Sequence, residues 1–556
     1  MPKKPLIALL ATIAALMLIQ SACGLVTATL KTGGEKQLRP EPPPLPPSAP
    51  HVLIFALDGA TPATLMEAIH SGGAPNIAAL LGNDQGDDVF EHAYAAPHAL
   101  SVLPSSTIAD WSAIFTGSVP AEDGIPGDEW FDRETMQFFA PVPVSVPDAD
   151  DNAKVVDANL IGKQLRVPTL YEDVHVRSNV SLLSVYRGAN IYTTVAPGSF
   201  PDLFRHLIRG QLKGNDPEKS LSGSIDRDST QKAIDAIHEH GIPDLQVLYL
   251  PGIDIFTHSA PDRLAGQTRY LEHVTDLCVG EMLDEYRKAG LLDKLYVLFI
   301  SDHSHIPTMN DEAHMLGVGE KHSPFRAVSR AGFRVREPRL VLPNSDVDYQ
   351  AVLAYQGSMA YIYLADRSTC PDEDDQCNWK VPPRFEEDVI PVLKNFYRSN
   401  ETGHPIPRLK GTLDLIFARQ GVPSGQNALP FEVFTGHKLV PIHDYLQIHP
   451  RPDLPDLERR MNWLAVGPYG NRAGDILLLP RACTNIPIED RYYFAGMTHY
   501  TWHGSACEQD GHIPFILANP GKSGEQMRAL MADFGGASPS ERELTPLVVS
   551  IFKGGS

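Results

Sequence analysis

Three continuous runs of apolar residues dominate the hydrophobic pattern of the chain. They are His51–Leu57 (HVLIFAL), Leu245–Leu250 (LQVLYL) and Leu295–Ile300 (LYVLFI). A run of this kind is typical of a β-strand that is buried on both faces, as in a parallel sheet with helices on each side. Helical patterns follow the first two runs, at residues 61–73 and 263–290. The pattern therefore predicts an α/β fold.

Acidic or imidazole side chains stand at the end of each of these predicted strands. Asp58 follows the first run, Asp254 and His258 follow the second, and Asp302 and His303 follow the third. Ligands of open α/β sheets bind at the carboxyl ends of the strands, and carboxylates together with imidazoles suit zinc. Each group alone could be a helix cap or a packing residue. Three groups in the same topological position favour a metal site.

Residues 103–127 (LPSSTIADWSAIFTGSVPAEDGIPG) predict a loop that leads into a helix and a helix that stops at a glycine. Thr107 stands at the predicted helix start, where Thr is ordinarily a cap. The alternative is a nucleophile at a helix N-terminus, where backbone N–H groups and the helix dipole favour an anion. This stretch alone leaves both interpretations open.

The pattern weakens in the second half of the chain. Between residues 332 and 485 it predicts strands at Ala360–Leu364 and Leu413–Ala418 and a helix near residues 385–397. The many prolines of the remainder favour an inserted cap or lobe at residues 366–490.

A short strand is predicted near the end of the chain, at residues 513–518. His499, His503 and His512 lie close to it in sequence. Each is a candidate metal ligand, and their positions alone do not choose among them.

Residues 170–189 predict a helix, a turn and a buried strand that ends at Tyr186. Arg187 follows directly. At a strand end this side chain could contact a phosphoryl oxygen of a substrate, and the alternative is a surface salt bridge.

Length and charge limit the possible classes of protein. With 556 residues the chain exceeds the usual size of one compact core, so two lobes or a large domain with insertions are expected. The formal charge is 47 − 68 = −21, which argues against a nucleic-acid polymer as partner, because such binding needs a cationic surface. A small anionic substrate stays compatible with this charge, since a metal ion can dominate the local field.

The N-terminus predicts export. Lys3 and Lys4 precede an apolar run at residues 6–19, which is too short for a comfortable membrane span. Residues 1–22 are interpreted as a lipoprotein-type signal peptide, because Cys23 follows small residues as in a bacterial lipobox; a plain cleaved signal is the alternative. Residues 23–50 would then be a lipidated cysteine and a Pro-rich spacer. The expected location is the bacterial cell envelope or periplasm, with a lipid anchor at Cys23 in a membrane.

The cysteines fit an oxidising compartment. Cys370 and Cys377 flank an acidic loop and could close a small disulfide, and Cys483 and Cys507 are a plausible second pair. Cys278 lies in a helical pattern and is expected to be a buried free thiol.

Several motifs together resemble the alkaline phosphatase superfamily, and within it the nucleotide pyrophosphatase/phosphodiesterase-like branch. They are LDG at 57–59, PSSTIADW at 104–111, TGSVPAEDGI at 116–125, YLPGIDIFTH at 249–258, SDHS at 301–304 and HGSACEQDGHIPF at 503–515. The resemblance implies an alkaline-phosphatase-like three-layer sandwich with a mostly parallel central sheet and an inserted cap region. The catalytic core would comprise residues 51–365 and 491–545, with the cap at 366–490.

The resemblance also implies two sites for divalent metal ions, with zinc as the expected metal. One ion would be held by Asp254, His258 and His503. The other would be held by the remaining ligands of the family pattern, namely Asp58, Asp302, His303 and the oxygen of Thr107. His503 is preferred over His499 and His512 because it precedes a glycine and opens the motif of the family's last ligand.

The implied activity is the hydrolysis of a small phosphoric ester by a metal-bound Thr107 through a phospho-threonine intermediate. A phosphodiesterase or nucleotide pyrophosphatase and a phosphomonoesterase are both compatible with this. Asp110 and Arg187 are the expected substrate-binding residues, although the family usually has Asn at the position of Asp110. The alternatives are a phosphotransferase that acts on envelope lipids or glycans, and an inactive, metal-stabilised binding lipoprotein.

Overall fold

The computed structural model describes residues 37–145, 160–194, 216–317, 323–336, 348–372, 375–423 and 425–554. The predicted signal peptide and Cys23 lie outside these ranges, as do the first residues of the Pro-rich spacer. Within the described ranges, no helix combines the length and the apolar character that crossing a membrane requires.

The strands of the described residues fall into two large sheets and two short two-stranded ladders. In chain order they are β1 (His51–Leu57), β2 (Asp84–Gly86), β3 (Val89–Phe90), β4 (Ala93–Ala95), β5 (Trp130–Asp132), β6 (Gln137–Phe139), β7 (Ser178–Ser181), β8 (Ile191–Thr193), β9 (Leu245–Leu250), β10 (Leu295–Ile300), β11 (Ile306–Pro307), β12 (Ala351–Tyr355), β13 (Ala360–Leu364), β14 (Leu413–Ala418), β15 (Glu432–Phe434), β16 (Leu439–Pro441), β17 (Ile476–Pro480), β18 (Thr501–Trp502) and β19 (Phe515–Ala518).

Helices connect the strands. The α-helices span Pro62–His70, Pro75–Leu81, Thr107–Thr116, Pro120–Asp123, Leu160–Gln164, Leu170–Val174, Leu221–His240, Gly252–Ser259, Leu264–Tyr270, Asp276–Lys288, Ser323–Arg330, Ile390–Thr402, Ile442–Ile448, Leu457–Ala465, Glu508–Gly511, Gly524–Ala532 and Leu544–Gly554. A π-helical turn at Leu271–Thr275 joins two of them into one continuous helix, as predicted for residues 263–290. A second π-helical turn, Phe385–Val389, opens the predicted helix near residue 385.

The central sheet has nine strands in the order β2-β3-β4-β19-β10-β1-β9-β7-β8. Strands β10, β1, β9, β7 and β8 pair in parallel, and β19, β4, β3 and β2 add an antiparallel edge. The three apolar runs therefore lie side by side in the middle of the sheet. Their prediction as buried strands of an α/β fold is confirmed.

Successive residues of β1 face two separate cores, because side chains alternate along a strand. Val52, Ile54 and Ala56 pack into one core together with helices Thr107–Thr116 and Leu544–Gly554. Leu53, Phe55 and Leu57 pack into the other core, against a different set of helices that includes Leu221–His240 and Asp276–Lys288. Helices thus cover both faces of the sheet, which confirms the three-layer α/β architecture.

A second, antiparallel sheet has six strands in the order β12-β13-β17-β14-β15-β16. The predicted strands Ala360–Leu364 and Leu413–Ala418 belong to it with the expected bounds. The first of its strands begins at Ala351, ahead of the boundary at residue 366 that the sequence suggested. The division of the chain into a core and an inserted cap stays a prediction.

The buried strand expected to end at Tyr186 is shorter. Strand β7 ends at Ser181, and the next residue, Leu182, has a φ of 65°. That left-handed conformation ends the extended backbone. Tyr186 instead lies in an irregular segment and stacks on Tyr192 with ring centroids 3.9 Å apart.

Two disulfides cross-link the chain outside the central sheet. Cys370 is bonded to Cys377, and Cys483 is bonded to Cys507. Cys278 is a buried free thiol, as expected. Paired cysteines of this kind fit an exported protein.

Candidate active site

The ends of the three central strands bring the predicted strand-end residues together. Strand β1 lies between β10 and β9, and the register pairs Ala56 with Ile300 and Leu57 with Leu250. Parallel strands that end at the same level present their following residues at one edge of the sheet. Asp58 and Asp302 therefore become neighbours, and Asp254 lies one short turn beyond β9.

Asp58, Asp302 and His303 form a buried group, here called the aspartate cluster. The Nε2 atom of His303 lies 3.6 Å from Asp58 Oδ1 and 3.4 Å from Asp302 Oδ2. The Oγ1 atom of Thr107 lies 3.2 Å from the same nitrogen. These are the four residues that the sequence assigned to one metal ion.

Asp254 belongs to two further groups of donor atoms, one with His258 and His305 and one with His303 and His503. The buried residues Asp254, His258, His305 and His503 are here called the histidine cluster. The Nε2 atoms of His258, His305 and His503 lie 3.3, 3.1 and 3.7 Å from Asp254 Oδ1. Three of these residues are the predicted ligands of the other ion. Sequence reasoning gave His305 no role, although it directly follows the motif SDHS at residues 301–304.

Two local structures build the histidine cluster. Helix Gly252–Ser259 presents Asp254 and His258 one turn apart, at i and i+4. The antiparallel ladder of β11 and β18 pairs Ile306 with Trp502, so the preceding His305 and the following His503 stand opposite each other. Such a long-range pairing leaves no signal in the local hydrophobic pattern.

Thr107 is the first residue of helix Thr107–Thr116, which ends at Gly117 in the left-handed conformation. The residue in the N-cap position is Ser106. The Thr107 hydroxyl contacts His303, and Thr107 is therefore not the cap of this helix. One backbone group at this helix start is already engaged, since Ile108 N donates to Asp128 Oδ1 over 3.1 Å.

The loop that precedes Thr107 is held by a buried arginine of the second half of the chain. The guanidinium of Arg460 donates to the Ser101 carbonyl (3.1 Å), the Val102 carbonyl (3.2 Å) and Ser105 Oγ (2.9 Å). It also donates to the carbonyl of Ala506 over 3.2 Å, three residues after His503. Arg460 thus links the loop before Thr107 to the loop after His503. Its position in the sequence did not reveal this role.

Burial opposes negative charge in the aspartate cluster. It raises the pKa of Asp58 well above the ordinary range, and the charges of Asp302 and Asp254 raise it further. Burial also raises the pKa of Asp302 to about 8. Burial lowers the pKa of His303 to about 3, so this imidazole is neutral and able to bind a metal. A divalent cation would stabilise the ionised carboxylates.

The residues present fit such cations. Asp58 Oδ1, Asp302 Oδ2, Asp254 Oδ1 and both ring nitrogens of His305 are buried without a hydrogen-bond partner among the described residues. A buried polar group without a partner costs about 1–3 kcal/mol, more when it is charged. Carboxylate oxygens and imidazole nitrogens are the donors that zinc takes together. The two clusters therefore have the donor chemistry of metal sites.

Asp110, predicted to contact substrate, lies fully buried on helix Thr107–Thr116. Its pKa is raised well above the ordinary range, first by burial and then by Glu541. Glu541 has a raised pKa as well, first because of burial. Asp110 is therefore held towards its neutral form, in which it carries an O–H donor.

Arg187 forms the salt bridge that was the alternative to a substrate contact. Its Nη2 atom lies 3.0 Å from Glu172 Oε2, and its Nη1 atom donates to the carbonyls of Gly162 and Leu165. None of these bonds is made with a residue of either cluster.

The other histidines near the chain end lie outside the candidate metal groups of the described residues. The ring of His499 lies 4.8 Å from that of His258, and His512 lies near Glu508. Of the three histidines that the sequence left open, His503 is thus the one in contact with Asp254.

Comparisons with known proteins identify the family of the chain. Residues 52–376 match the sequence model of the family described as type I phosphodiesterase / nucleotide pyrophosphatase. Similar solved structures include an inactive variant of murine ectonucleotide pyrophosphatase / phosphodiesterase 5 in complex with AMP, with 12% identity, a TM-score of 0.48 and coverage of 91% of this chain and 95% of that one. The human protein of the same name also has 12% identity and a TM-score of 0.48, with coverage of 90% and 95%. Because the family match spans more than half of the 556 residues, the chain belongs to the type I phosphodiesterase / nucleotide pyrophosphatase family.

Proposed function

We propose that this phosphoric ester hydrolase cleaves phosphoric diesters with Thr107 as its nucleophile and two divalent metal ions, zinc in the first instance. The observation that carries the proposal is the contact of Thr107 Oγ1 with His303 Nε2 at 3.2 Å, beside the buried carboxylates of Asp58 and Asp302. Capping the helix does not explain the place of the Thr107 hydroxyl, because Ser106 is the N-cap residue.

The two clusters would divide the metal binding. Asp58, Asp302, His303 and Thr107 would hold one ion, and the histidine cluster would hold the other. Bound ions of this type lower the pKa of hydroxyl groups and neutralise charge on a phosphoryl group. Thr107 Oγ1 then forms a bond to phosphorus while the bond to the leaving alcohol breaks. Water later cleaves the phospho-threonine and restores the Thr107 hydroxyl.

The surroundings of Thr107 favour a diester over a monoester. A monoester carries a second negative charge, which needs additional positive charge in the site. Arg187, the expected source of that charge, is bound to Glu172. Asp110 adds a carboxyl group instead, and in its neutral form it can donate one hydrogen bond to a phosphoryl oxygen, as the usual Asn would. These residues suit a singly charged phosphoryl group.

Substitution of the nucleophile tests the proposal. Thr107→Ala should lower the hydrolysis of bis-p-nitrophenyl phosphate by about 10⁴-fold or more, while the variant keeps the metal content of a folded protein. The wild type should prefer this diester to p-nitrophenyl phosphate. When the reaction is quenched in acid, it should yield a Thr107 peptide that carries a p-nitrophenyl phosphoryl group. Hydrolysis that persists in Thr107→Ala would exclude this nucleophile.

The same assay separates the alternatives. A phosphotransferase would pass the phosphoryl group to an added acceptor alcohol faster than to water. A metal-stabilised binding protein would cleave no ester even at full metal occupancy.

Export with a lipid anchor at Cys23 is the proposed location, at the periplasmic face of a bacterial membrane. The signal-like N-terminus and the two disulfides support it. Cys23→Ala should move the protein from the membrane fraction to the soluble fraction of the envelope. A variant that stays in the membrane fraction would exclude the anchor.

A further inference from the structure

His305 belongs to the histidine cluster but not to the ligand set that the family pattern implies. Its Nε2 atom lies 3.1 Å from Asp254 Oδ1, which is closer than the Nε2 atoms of His258 (3.3 Å) and His503 (3.7 Å). Asp254, His258 and His305 also offer one donor atom each within 4.8 Å of one another. His305 is therefore placed at least as well as the expected ligands.

The environment of His305 does not satisfy its ring. The side chain is completely buried, and Nδ1 has no hydrogen-bond partner among the described residues. The contact of Nε2 with Asp254 at 3.1 Å does not have the geometry of a hydrogen bond. A buried histidine that serves packing alone normally bonds at least one nitrogen, because an unpaired one costs about 1–3 kcal/mol. His258 follows this rule, since its Nδ1 contacts the carbonyl of Thr501 at 2.7 Å and leaves Nε2 for the cluster.

The backbone around His305 makes room for its ring. Gly59 has a φ of 68°, and a Cβ atom at this position would lie 2.6 Å from His305 Nε2 and 3.0 Å from Asp254 Cβ. A larger residue after Asp58 would thus collide with the imidazole at its contact with Asp254. Gly59, which follows the strand end at Asp58, thus leaves the space that the imidazole of His305 occupies.

We propose that His305 is a further metal ligand of the histidine cluster, so that one ion there is offered three imidazoles and one carboxylate. The proposal rests on the proposed two-metal function. Four protein donors fill a tetrahedral zinc site, whereas catalytic sites usually hold three and leave a position open. With His305, the histidine cluster would offer as many protein donors as Asp58, Asp302, His303 and Thr107 together offer to the other ion.

Zinc affinity of single variants tests this role. Apo-protein is titrated with zinc in competition with a chromophoric chelator, which measures metal binding without any turnover. His305→Ala should weaken one of the two sites by about 100-fold or more, since even residues behind the ligands are worth 10–100-fold. His499→Ala is the matched control, because His499 is also buried and lies 4.8 Å from the His258 ring but belongs to no candidate metal group of the described residues. It should leave both affinities unchanged.

The outcomes separate the two proposals. If the wild type binds two zinc ions and His305→Ala binds them equally well, His305 is not a ligand and the two-metal function stands. If the wild type binds no zinc, both proposals fail.

A second measurement covers the case in which His305→Ala does not fold. Asp58→Ala removes one member of the aspartate cluster and should leave zinc in the histidine cluster alone. X-ray absorption of this zinc should show three imidazole ligands, from His258, His305 and His503. Two imidazoles would overturn the assignment of His305.

Discussion

The two clusters meet at one edge of the sheet but are built differently. The aspartate cluster has two carboxylates and one imidazole, and each stands directly at the end of a parallel strand. The histidine cluster has one carboxylate and three imidazoles, which come from a helix and from two segments joined by the ladder of β11 and β18. The first cluster follows from the order of the central strands, and the second depends on contacts between distant parts of the chain.

The difference in donors has an electrostatic consequence. In the aspartate cluster, burial and mutual repulsion raise the pKa of Asp58, and burial raises the pKa of Asp302 to about 8. In the histidine cluster, burial also acts to raise the pKa of Asp254, but His258 and His305 lower it by more, and it ends well below its ordinary range. The aspartate cluster therefore depends on a cation to remain ionised, whereas the histidine cluster partly neutralises itself.

The largest effect is expected from removal of one charge in the aspartate cluster. Asp302→Asn should lower kcat/KM for a phosphodiester by about 10³-fold, because the charge stabilisation that a metal supplies is worth several kcal/mol. The fold should survive, since the side-chain oxygen can still accept from the N–H groups of Gly59 (3.0 Å) and His303 (2.9 Å).

In the metal-free protein, the same substitution should increase the free energy of unfolding instead of impairing the protein. A carboxyl group with a raised pKa loses stability as pH rises towards that pKa, which is about 8 for Asp302. Metal-free Asp302→Asn should therefore be more resistant to urea than the metal-free wild type at alkaline pH. An equal or lower urea midpoint would show that charge repulsion does not distinguish the two clusters.

Much of this arrangement could be predicted from the sequence. The apolar runs predicted strands β1, β9 and β10. The positions of Asp58, Asp254 and Asp302 after these runs predicted that the three carboxylates lie at one edge of the sheet. The sequence also showed Asp254 and His258 four positions apart beyond a strand end, and the structure adds the helix that carries them. These features depend on short stretches of chain, where hydrophobic periodicity is informative.

Other features depend on distant pairings and could not be predicted in this way. His305 joins the cluster through the β11–β18 ladder. Arg460, on helix Leu457–Ala465, donates to the carbonyls of Ser101 and Ala506. Glu541 raises the pKa of Asp110 from a distant part of the sequence. The expected strand up to Tyr186 was wrong because one residue, Leu182, leaves the extended conformation. Each case is decided by tertiary contacts or by a single backbone angle.

A smaller effect, shared by both clusters, is expected from Arg460. Arg460→Met removes the donors to the carbonyls of Val102 and Ala506 and leaves these buried acceptors unpaired, at about 1–3 kcal/mol each. The free energy of unfolding should fall by about 3 kcal/mol, and kcat should fall because both loops lose their support. Urea unfolding and diester kinetics measure the two effects.

Arg459→Met is the matched control, because Arg459 lies on the same helix with its side chain 52% exposed in a surface pair with Asp456. It should change neither quantity. Arg460→Lys should recover little, since an ammonium group cannot reproduce the fork of the guanidinium. Wild-type behaviour in Arg460→Met would mean that the loops of the two clusters hold their positions independently.

The smallest effect on turnover is expected at Asp110, next to the aspartate cluster. Asp110→Asn replaces a carboxyl group whose pKa is raised well above its ordinary value by burial and by Glu541. Such a group contributes to stability while it is protonated, and that contribution is lost as pH rises through the raised pKa. The variant should therefore keep diesterase activity at neutral pH and lose less stability than the wild type as the pH is made alkaline.

Asp123→Asn serves as the control for this last comparison. Burial also raises the pKa of Asp123 well above its ordinary range, and its side chain accepts a hydrogen bond from the N–H of Ile125. Asp123→Asn should therefore change the pH dependence of stability. It should leave the pH dependence of kcat unchanged. Asp110→Asn should change the pH dependence of stability and also that of kcat, because Asp110, unlike Asp123, lies on the same helix as Thr107. If kcat of Asp110→Asn followed the wild-type pH profile, Asp110 would be a packing residue, and the negative charge that distinguishes the aspartate cluster would be confined to Asp58 and Asp302.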